Sequence, residues 1–178
     1  MLNIVLPMAG LGSRFSKAGY KIPKPFFNVC GKPMIQVVVE NLRPSVPHRF
    51  IFICRSEHIS EYKADILLRK IADNSIIISV DKVTNGQLSS AMLAEKYIDN
   101  QQPLLTANTD QYIDFCIDKF LDFASKEKLD GLIMTMKADS PKWSYVRVNE
   151  ETNLVSQTAE KQVISDEATV GIYYFNKG

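Results

Sequence analysis

The amino-acid sequence predicts an α/β protein: a Rossmann-like mixed sheet flanked by helices, parallel in its N-terminal half and antiparallel in its C-terminal half. The chain has 178 residues, of which 46% are hydrophobic. That is enough for one well-packed domain and too little for two of ordinary size. Up to about residue 137, short β-branched runs alternate with helical patterns, as is typical of parallel strands with right-handed crossovers. Beyond it, short strands joined by turns predict antiparallel additions to the same sheet.

The first half divides into elements whose type follows from local residue patterns. An apolar run at 2–6 indicates a buried strand, and Pro33 suits the first turn of a helix. Apolar residues at Ile59, Tyr62 and Ile66 have helical spacing. The predicted order is strand 2–6, loop 7–32, helix 34–42, strand 49–54, helix 56–73, strand 75–80, helix 88–98, strand 103–107, helix 116–126 and strand 131–137.

The second half is richer in strands. Short strands are predicted at 145–148, 154–157, 162–164 and 170–175, and 150–153 forms the clearest hairpin turn. The sequence contains no internal repeat, low-complexity tract or linker. We therefore expect residues 1–178 to form a single domain.

Charge and hydropathy exclude several classes of protein. Lys and Arg total 21 against 20 Asp and Glu, a net charge of +1, whereas proteins that coat nucleic acids are usually far more basic. Nucleic acid is therefore not an expected partner. No apolar run approaches the roughly 20 residues that span a bilayer, so no membrane insertion is expected. The first residues lack the basic region and cleavage site of a secretory signal, which favours a cytoplasmic protein.

The cysteines and histidines show no pattern of metal ligands. Cys30, Cys54 and Cys116 lie far apart without CxxC spacing, so neither a disulfide framework nor a zinc site is predicted. Reduced thiols agree with a cytoplasmic location. His48 and His58 are expected to be ordinary surface or turn residues.

A glycine-rich loop follows the first predicted strand, at the sheet edge where α/β proteins bind ligands. Gly10 and Gly12 let the backbone approach a ligand and direct N–H groups at phosphate oxygens, and Arg14 and Lys24 add two cations. A dinucleotide fingerprint would need glycine in place of Phe15, and the later Gly-Lys pair is followed by proline, which excludes a P-loop. The loop predicts a phosphate site suited to a triphosphate.

Residues 5–33, VLPMAGLGSRFSKAGYKIPKPFFNVCGKP, resemble the signature of the sugar-phosphate nucleotidylyltransferases. The signature contains an apolar strand, an AGxGxR loop, a PKP segment and a Gly-Lys-Pro that starts a helix, and all occur here in order. The resemblance implies the nucleotide-diphospho-sugar transferase fold. It also implies transfer of a nucleoside monophosphate from an NTP to a sugar 1-phosphate or similar small phosphorylated acceptor, with release of pyrophosphate, as in sugar-nucleotide and polysaccharide biosynthesis.

Asp110 follows the end of a predicted central strand. A carboxylate there is well placed to hold Mg²⁺, which needs only one or two protein carboxylates when substrate phosphates complete its octahedron. The resemblance assigns metal binding to the same residue. The alternative is an aspartate that caps the next helix.

The resemblance assigns the other roles to matching positions. The segment around Gln87 matches the family's base-recognition region, and its amide carries both a donor and an acceptor. Ser89 and Ser90 could equally cap the helix that follows. The predicted catalytic residues are Arg14 and Lys24; the nucleotide-binding residues are Met8, Ala9, Gly10, Leu11, Gly12, Ser13, Gly86, Gln87 and Ser89; and the substrate-binding residues are Asn108, Glu160, Lys161 and Gly171.

Some positions depart from the family pattern. Gln162 stands where the family has proline after its Glu-Lys pair. The second metal-binding aspartate of longer members has no counterpart, as if the family's C-terminal segment were lacking, and Asp166 is the nearby substitute. Trp143 and Tyr145 are candidates to flank the acceptor, with a packing role as the equal alternative.

Three other functions remain open: a non-catalytic sensor of nucleotides or sugar nucleotides, a cytidylyltransferase for a non-sugar phosphate such as phosphocholine, and a glycosyltransferase. The combination of Arg14, Lys24 and Asp110 favours the enzyme over the sensor. A glycosyltransferase would need an Asp-x-Asp motif, where the chain has Asn108-Thr109-Asp110. The nucleobase, the acceptor and the oligomeric state, including a homo-oligomer, stay open.

Overall fold

The computed structural model describes residues 1–10, 19–20, 22–81 and 86–178. The strands are β1 (Leu2–Pro7), β2 (Asn28–Val29), β3 (Lys32–Pro33), β4 (His48–Arg55), β5 (Ile76–Val80), β6 (Leu104–Ala107), β7 (Gly131–Lys137), β8 (Ser144–Val148), β9 (Val155–Glu160) and β10 (Glu167–Phe175). The helices are α1 (Met34–Leu42), α2 (Ser56–Tyr62), α3 (Ala64–Ile71), α4 (Gln87–Ala91), α5 (Glu95–Ile98) and α6 (Ile117–Lys126), with 3₁₀ turns at Lys24–Phe26 and Met92–Ala94.

The main sheet runs in the order β5-β4-β1-β6-β10-β8-β9, with β7 also paired to β10. The strands β5, β4, β1 and β6 are parallel to one another. The strand β10 then runs antiparallel to β6, with Ile172 opposite Ala107, and β7, β8 and β9 extend this antiparallel part. The predicted division into a parallel and an antiparallel half is confirmed.

The central strand β1 is buried on both faces because helices cover both sides of the sheet. Ile4 and Leu6 pack on one side with residues of α1, α3 and α6. Val5 points to the other side, where it joins Ile53 and Ala94. Burial of each Val, Leu or Ile side chain in this core stabilises the fold by about 1.5–3 kcal/mol relative to its exposed state. The rigid core fixes the strand ends from which the candidate site is built.

The helix predicted at 56–73 divides into α2 and α3. Lys63 separates them in a left-handed conformation, with φ of 53° and ψ of 40°. This backbone conformation breaks the helical hydrogen-bond ladder. The helix predicted at 88–98 is likewise divided, by the turn at Met92–Ala94.

The prediction of a strand at 162–164 is wrong. The strand β9 ends at Glu160, and Lys161 has a φ of 54°, which is incompatible with a continuing strand. The next residues form bends that lead into β10. The other three strands predicted in this half occur as β8, β9 and β10, with shifted ends.

His58 corrects the expectation of a surface histidine. It is only 3% exposed and packs edge-on against Phe26, with ring centroids 5.5 Å apart. The sequence around His58 did not indicate this burial, because Phe26, which packs against it, lies in a distant part of the chain. All three cysteines are free thiols, and only Cys54 is buried. None of the described helices is long and apolar enough to cross a membrane.

Candidate active site

A cleft of about 300 Å³ opens at the edge of the sheet where β1 and β6 end. We call it the first cleft. The N-terminus of α4 and the 3₁₀ turn at Lys24–Phe26 close its sides. Its lining residues are Pro7, Met8, Gly10, Lys24, Pro25, Gly86, Gln87, Ser90, Asn108, Thr109 and Asp110.

A second cleft, of about 340 Å³, adjoins the first on the antiparallel side of the sheet. The two clefts share Gln87, Asn108 and Asp110. Two small molecules that occupied the clefts would therefore meet beside these three side chains. The remaining lining residues of the second cleft are Gln111, Lys142, Trp143, Ser144, Thr169, Gly171 and Tyr173.

Two glycines expose backbone in the first cleft. Among the described residues, a Cβ added at Gly10 or Gly86 would meet no atom within 4 Å. Packing against the described residues therefore does not require glycine at either position. Gly86 has a φ of 102°, a conformation that L side chains rarely adopt, and it directly precedes α4. Bare backbone facing a cleft suits close approach of a ligand.

Lys24 and Asp110 form an ion pair inside the first cleft. Lys24 is carried by the 3₁₀ turn, where the N–H of Phe26 donates to the carbonyl of Pro23 over 2.9 Å. Phe26 anchors this turn by stacking on Tyr62, with ring centroids 5.7 Å apart. The cleft thus holds one cation and one carboxylate at the same point.

Gly171 builds the wall between the clefts. It has a φ of 73°, and a Cβ on it would lie 2.0 Å from Nδ2 of Asn108 and 2.8 Å from Oε1 of Gln111. The strand pairing of β10 with β7 shifts register around it, as in a β-bulge. The Gly171 carbonyl accepts the Asn108 backbone N–H over 3.0 Å and Nε2 of Gln87 over 3.4 Å. Nδ2 of Asn108 also donates to Oε1 of Gln111 over 2.8 Å.

The structure brings many predicted residues together in these clefts. Met8, Gly10, Lys24, Gly86, Gln87, Asn108, Asp110 and Gly171 all line one or both. Ala9 is fully buried and packs into the core beneath the first cleft. Leu11, Gly12, Ser13 and Arg14 lie outside the described residues.

Neither Ser89 nor Ser90 caps α4, which was the alternative role for these two residues. The helix begins at Gln87, so Gly86 occupies the capping position. Ser89 is exposed and is not among the lining residues. Ser90 lines the first cleft instead, where its hydroxyl donates to the Gly86 carbonyl over 2.9 Å. This bond holds the glycine in the orientation that exposes its backbone.

Glu160 and Lys161 lie at the end of β9 and line neither cleft. Glu160 pairs across the strands with Ser144, which does line the second cleft. Lys161 donates to Glu160 over 2.9 Å, and this hydrogen bond lowers the pKa of the Glu160 carboxyl. The pair is therefore at the margin of the second cleft, exposed to solvent.

The two aromatic candidates occupy different environments. Trp143 lines the second cleft, and the ammonium of Lys142 lies 5.0 Å from its ring centroid. Tyr145 is fully buried, and its hydroxyl donates to the Ser140 carbonyl over 2.8 Å. Tyr145 thus has the packing role that the sequence left as its alternative.

The only carboxylate among the residues described for either cleft is Asp110. The described residues contain no group of three or more histidine, cysteine, aspartate or glutamate side chains that could hold a metal ion. Asp166 pairs with Lys137 over 2.8 Å and lines neither cleft. A single carboxylate suits Mg²⁺ that arrives with phosphate oxygens as its other ligands.

The sequence predictions missed several lining residues: Pro25, Thr109, Gln111, Lys142, Ser144, Thr169 and Tyr173. Most are direct neighbours in sequence of predicted residues, such as Thr109 and Gln111 on either side of Asp110. Extending each motif by one residue would have found them. Thr169 and Tyr173 lie two residues either side of Gly171, so strand alternation was the available signal.

Comparisons with known proteins agree with this architecture. The mannose-1-phosphate guanylyltransferase catalytic subunit beta of Danio rerio is 26% identical over 180 residues, covering 98% of this chain and 50% of that protein. The solved nucleoside-diphosphate-sugar pyrophosphorylase of Vibrio cholerae RC9 is 26% identical with a TM-score of 0.75, covering 98% of this chain and 73% of that one. The inositol-1-phosphate CTP transferase of T. maritima, 18% identical, shares the fold with a TM-score of 0.74, over 97% and 69% of the two chains.

The chain spans about half the length of the curated relatives that it matches. The sequence profile of the nucleotidyl transferase family matches residues 3–178, nearly the whole chain. The resemblance carried by residues 5–33 is thereby confirmed. This chain belongs to the nucleotidyl transferase family.

Proposed function

We propose that the protein is a Mg²⁺-dependent nucleotidylyltransferase. It transfers a nucleoside monophosphate from an NTP to a sugar 1-phosphate or a similar small phosphorylated acceptor, and pyrophosphate is released. The observation that carries the proposal is the meeting of two clefts at Asp110, with Lys24 paired to it. Each cleft would hold one of the two substrates, and the ion pair lies where the substrates would react.

The nucleotide is assigned to the first cleft. The exposed backbone at Gly10 and Gly86 supports close approach of phosphates and base. Arg14, which the resemblance assigns to the same loop, would hold the β- and γ-phosphates. Lys24 would hold the α-phosphate, where charge gathers during transfer.

The reaction needs no covalent enzyme intermediate. An anionic phosphate oxygen of the acceptor attacks the α-phosphorus in line and forms a new P–O bond. The bond between the α-phosphorus and the oxygen bridging to the β-phosphorus breaks, and pyrophosphate leaves with the electron pair. The protein supplies position and charge stabilisation.

Asp110 is the residue proposed to hold Mg²⁺. When bound, the ion would offset negative charge on the α-phosphate and the leaving group. Asn108 and Gln87 belong to both clefts and would orient the two substrates on either side of it.

The second cleft favours a hydroxylated acceptor over phosphocholine. A quaternary ammonium is bound on open aromatic faces, but the Trp143 ring already has the Lys142 ammonium 5.0 Å from its centroid. The cleft also presents the amide of Gln111 and the hydroxyls of Ser144 and Thr169. These groups suit the hydroxyls of a sugar, and Lys161 would reach the acceptor's phosphate from the margin.

Substrate turnover tests the proposal directly. Pyrophosphate release is measured with Mg²⁺ for ATP, CTP, GTP, UTP and dTTP, each against a panel of sugar 1-phosphates and phosphocholine. We expect one NTP to react with a sugar 1-phosphate and not with phosphocholine. This enzyme would act in sugar-nucleotide biosynthesis for polysaccharides in the cytoplasm, where its free thiols would stay reduced.

The same panel separates the alternatives. If CTP reacts only with phosphocholine, the acceptor is not a sugar phosphate, and the protein is a cytidylyltransferase for a non-sugar phosphate. NTP binding in a thermal-shift assay without turnover of any pair would contradict the enzyme and support a nucleotide sensor. The paired Lys24 and Asp110 favour the enzyme, because a sensor does not need both a phosphate-binding cation and a metal ligand at one point.

A further inference from the structure

The ion pair between Lys24 and Asp110 joins two groups that the proposed reaction needs for different partners. The residues are 86 positions apart in the chain, yet both line the first cleft. Their side chains are 30% and 33% exposed, so a ligand entering the cleft can reach both. Before substrate binds, each neutralises the charge of the other.

The pair blocks the position that a metal ion would take. Oδ2 of Asp110 accepts a hydrogen bond from the ammonium of Lys24. A divalent cation would need the oxygens of the same carboxylate as ligands. A cation bound there would also face the positive charge of Lys24 at close range. No other carboxylate lines either cleft among the described residues, so the protein offers the ion little compensation.

A triphosphate changes this balance. Its oxygens can complete the coordination of the metal ion, and they also accept hydrogen bonds from a displaced lysine. We propose that Lys24 is a placeholder: it occupies Asp110 until a metal-bound triphosphate arrives, so that metal and nucleotide bind together and free metal ion is excluded. No covalent bond changes: the ion pair is replaced by a contact of Asp110 with the metal ion and a contact of Lys24 with phosphate oxygens. The destination of Lys24 rests on the proposed function, whereas its occupation of Asp110 does not.

Binding of Mn²⁺ without nucleotide tests the placeholder. Free Mn²⁺ is followed by electron paramagnetic resonance during titration of the full chain and of Lys24→Met, which keeps the length of the side chain and removes its charge. We expect the Kd for Mn²⁺ to fall at least tenfold in Lys24→Met. Lys24→Gln is measured in parallel, so that a folding defect of one variant does not decide the result.

A matched lysine provides the control. Lys32 pairs with Glu40 over 2.7 Å on the surface, outside both clefts. Lys32→Met removes the same charge from a similar pair, and the Kd for Mn²⁺ should stay at the wild-type value. An equal gain in this variant would reveal a general effect of net charge and would overturn the placeholder.

The double variant Lys24→Met/Asp110→Asn locates the metal ion. The gain in Mn²⁺ affinity should disappear in it. If the gain persists, the ion binds elsewhere, and both the placeholder and the proposed metal role of Asp110 are wrong. If the lysine variants bind Mn²⁺ no more tightly than wild type while wild type releases pyrophosphate, only the placeholder is overturned.

Discussion

The two clefts lie side by side at one edge of the sheet but are built from different chemistry. The first cleft has bare glycine backbone and the charged pair of Lys24 and Asp110. The second shares Asp110 and has its own lysine, Lys142, whose ammonium lies over the Trp143 ring; most of its other lining side chains carry amides or hydroxyls. In the first cleft the lysine is paired with the shared carboxylate at the point where phosphate bonds would change. In the second cleft neutral hydrogen-bonding side chains are more numerous, as suits recognition of an acceptor.

The clefts also differ in how the fold supports them. Parallel strand ends and the start of α4 build the first, so its loops extend from a core buried on both faces. The antiparallel strands β8 and β10 build the second, and a bulge at Gly171 shapes it. Changes in the first cleft should therefore affect chemistry, and changes in the second should affect acceptor affinity or the fold.

The largest effect should follow from Asp110→Asn. The amide keeps the shape of the side chain but loses the charge that would hold Mg²⁺, a contribution of several kcal/mol. We expect kcat for pyrophosphate release to fall about a thousandfold. Asp114→Asn is the matched control, because Asp114 is exposed and lines neither cleft. A normal response of Asp110→Asn to Mg²⁺ would exclude the residue as a ligand.

Gly171→Ala should damage the wall between the clefts. The φ of 73° and the 2.0 Å approach to Nδ2 of Asn108 leave no room for a methyl group, and we expect unfolding to become easier by about 1–3 kcal/mol. Urea denaturation measures this change.

Gly10→Ala provides the contrast, because a methyl group there meets no described atom within 4 Å. Its free energy of unfolding should stay within about 0.5 kcal/mol of wild type, while the KM for NTP rises. If both variants lose the same free energy of unfolding, the contrast between a glycine that faces the ligand and a glycine that is required by packing is wrong.

Trp143→Ala should weaken binding of the acceptor and leave binding of the nucleotide unchanged. We expect the KM for the acceptor to rise about tenfold, which corresponds to about 1.4 kcal/mol of lost contact, with little change in the KM for NTP. Tyr145→Phe removes only the buried hydrogen bond to Ser140 and should lower stability by about 1 kcal/mol without changing either KM. Equal changes in both KM values for Trp143→Ala would contradict separate clefts.

Local motifs carried most of what could be predicted about the first cleft. Gly10 and Asp110 follow from short patterns at the ends of strands, and Lys24 follows from the PKP segment of the loop; the structure brings all three to one cleft. Their pairing could not be predicted, because the 86-residue separation of Lys24 and Asp110 contains no local signal. Contacts of that range depend on the sheet order, which alternating elements constrain but do not specify.

Departures occurred where one residue has an unusual backbone conformation. Lys63 and Lys161, both with positive φ, divide a helix and end a strand, and lysine gives no warning of this as glycine would. The burial of His58 was missed for another reason: the aromatic ring that covers it, Phe26, lies 32 positions earlier in the chain. Periodicity within one helix does not contain such information.

A still smaller effect concerns stability in acid near the 3₁₀ turn that carries Lys24. Burial lowers the pKa of His58, and Arg55 lowers it further against opposing effects of Glu57 and Glu61. Above the unfolded pKa of about 6.5, His58 is neutral in both states and pH has no effect through it. As pH falls below that value, the unfolded chain takes up a proton that the folded protein resists, so stability declines.

His58→Phe should remove this decline between pH 6.5 and 5. The variant keeps an aromatic ring against Phe26, which anchors the turn of Lys24, and it has no proton to gain. Urea midpoints at a series of pH values measure the effect, and His48→Gln should retain the decline of the wild type. A decline of unchanged size in His58→Phe would assign the acid sensitivity to other groups.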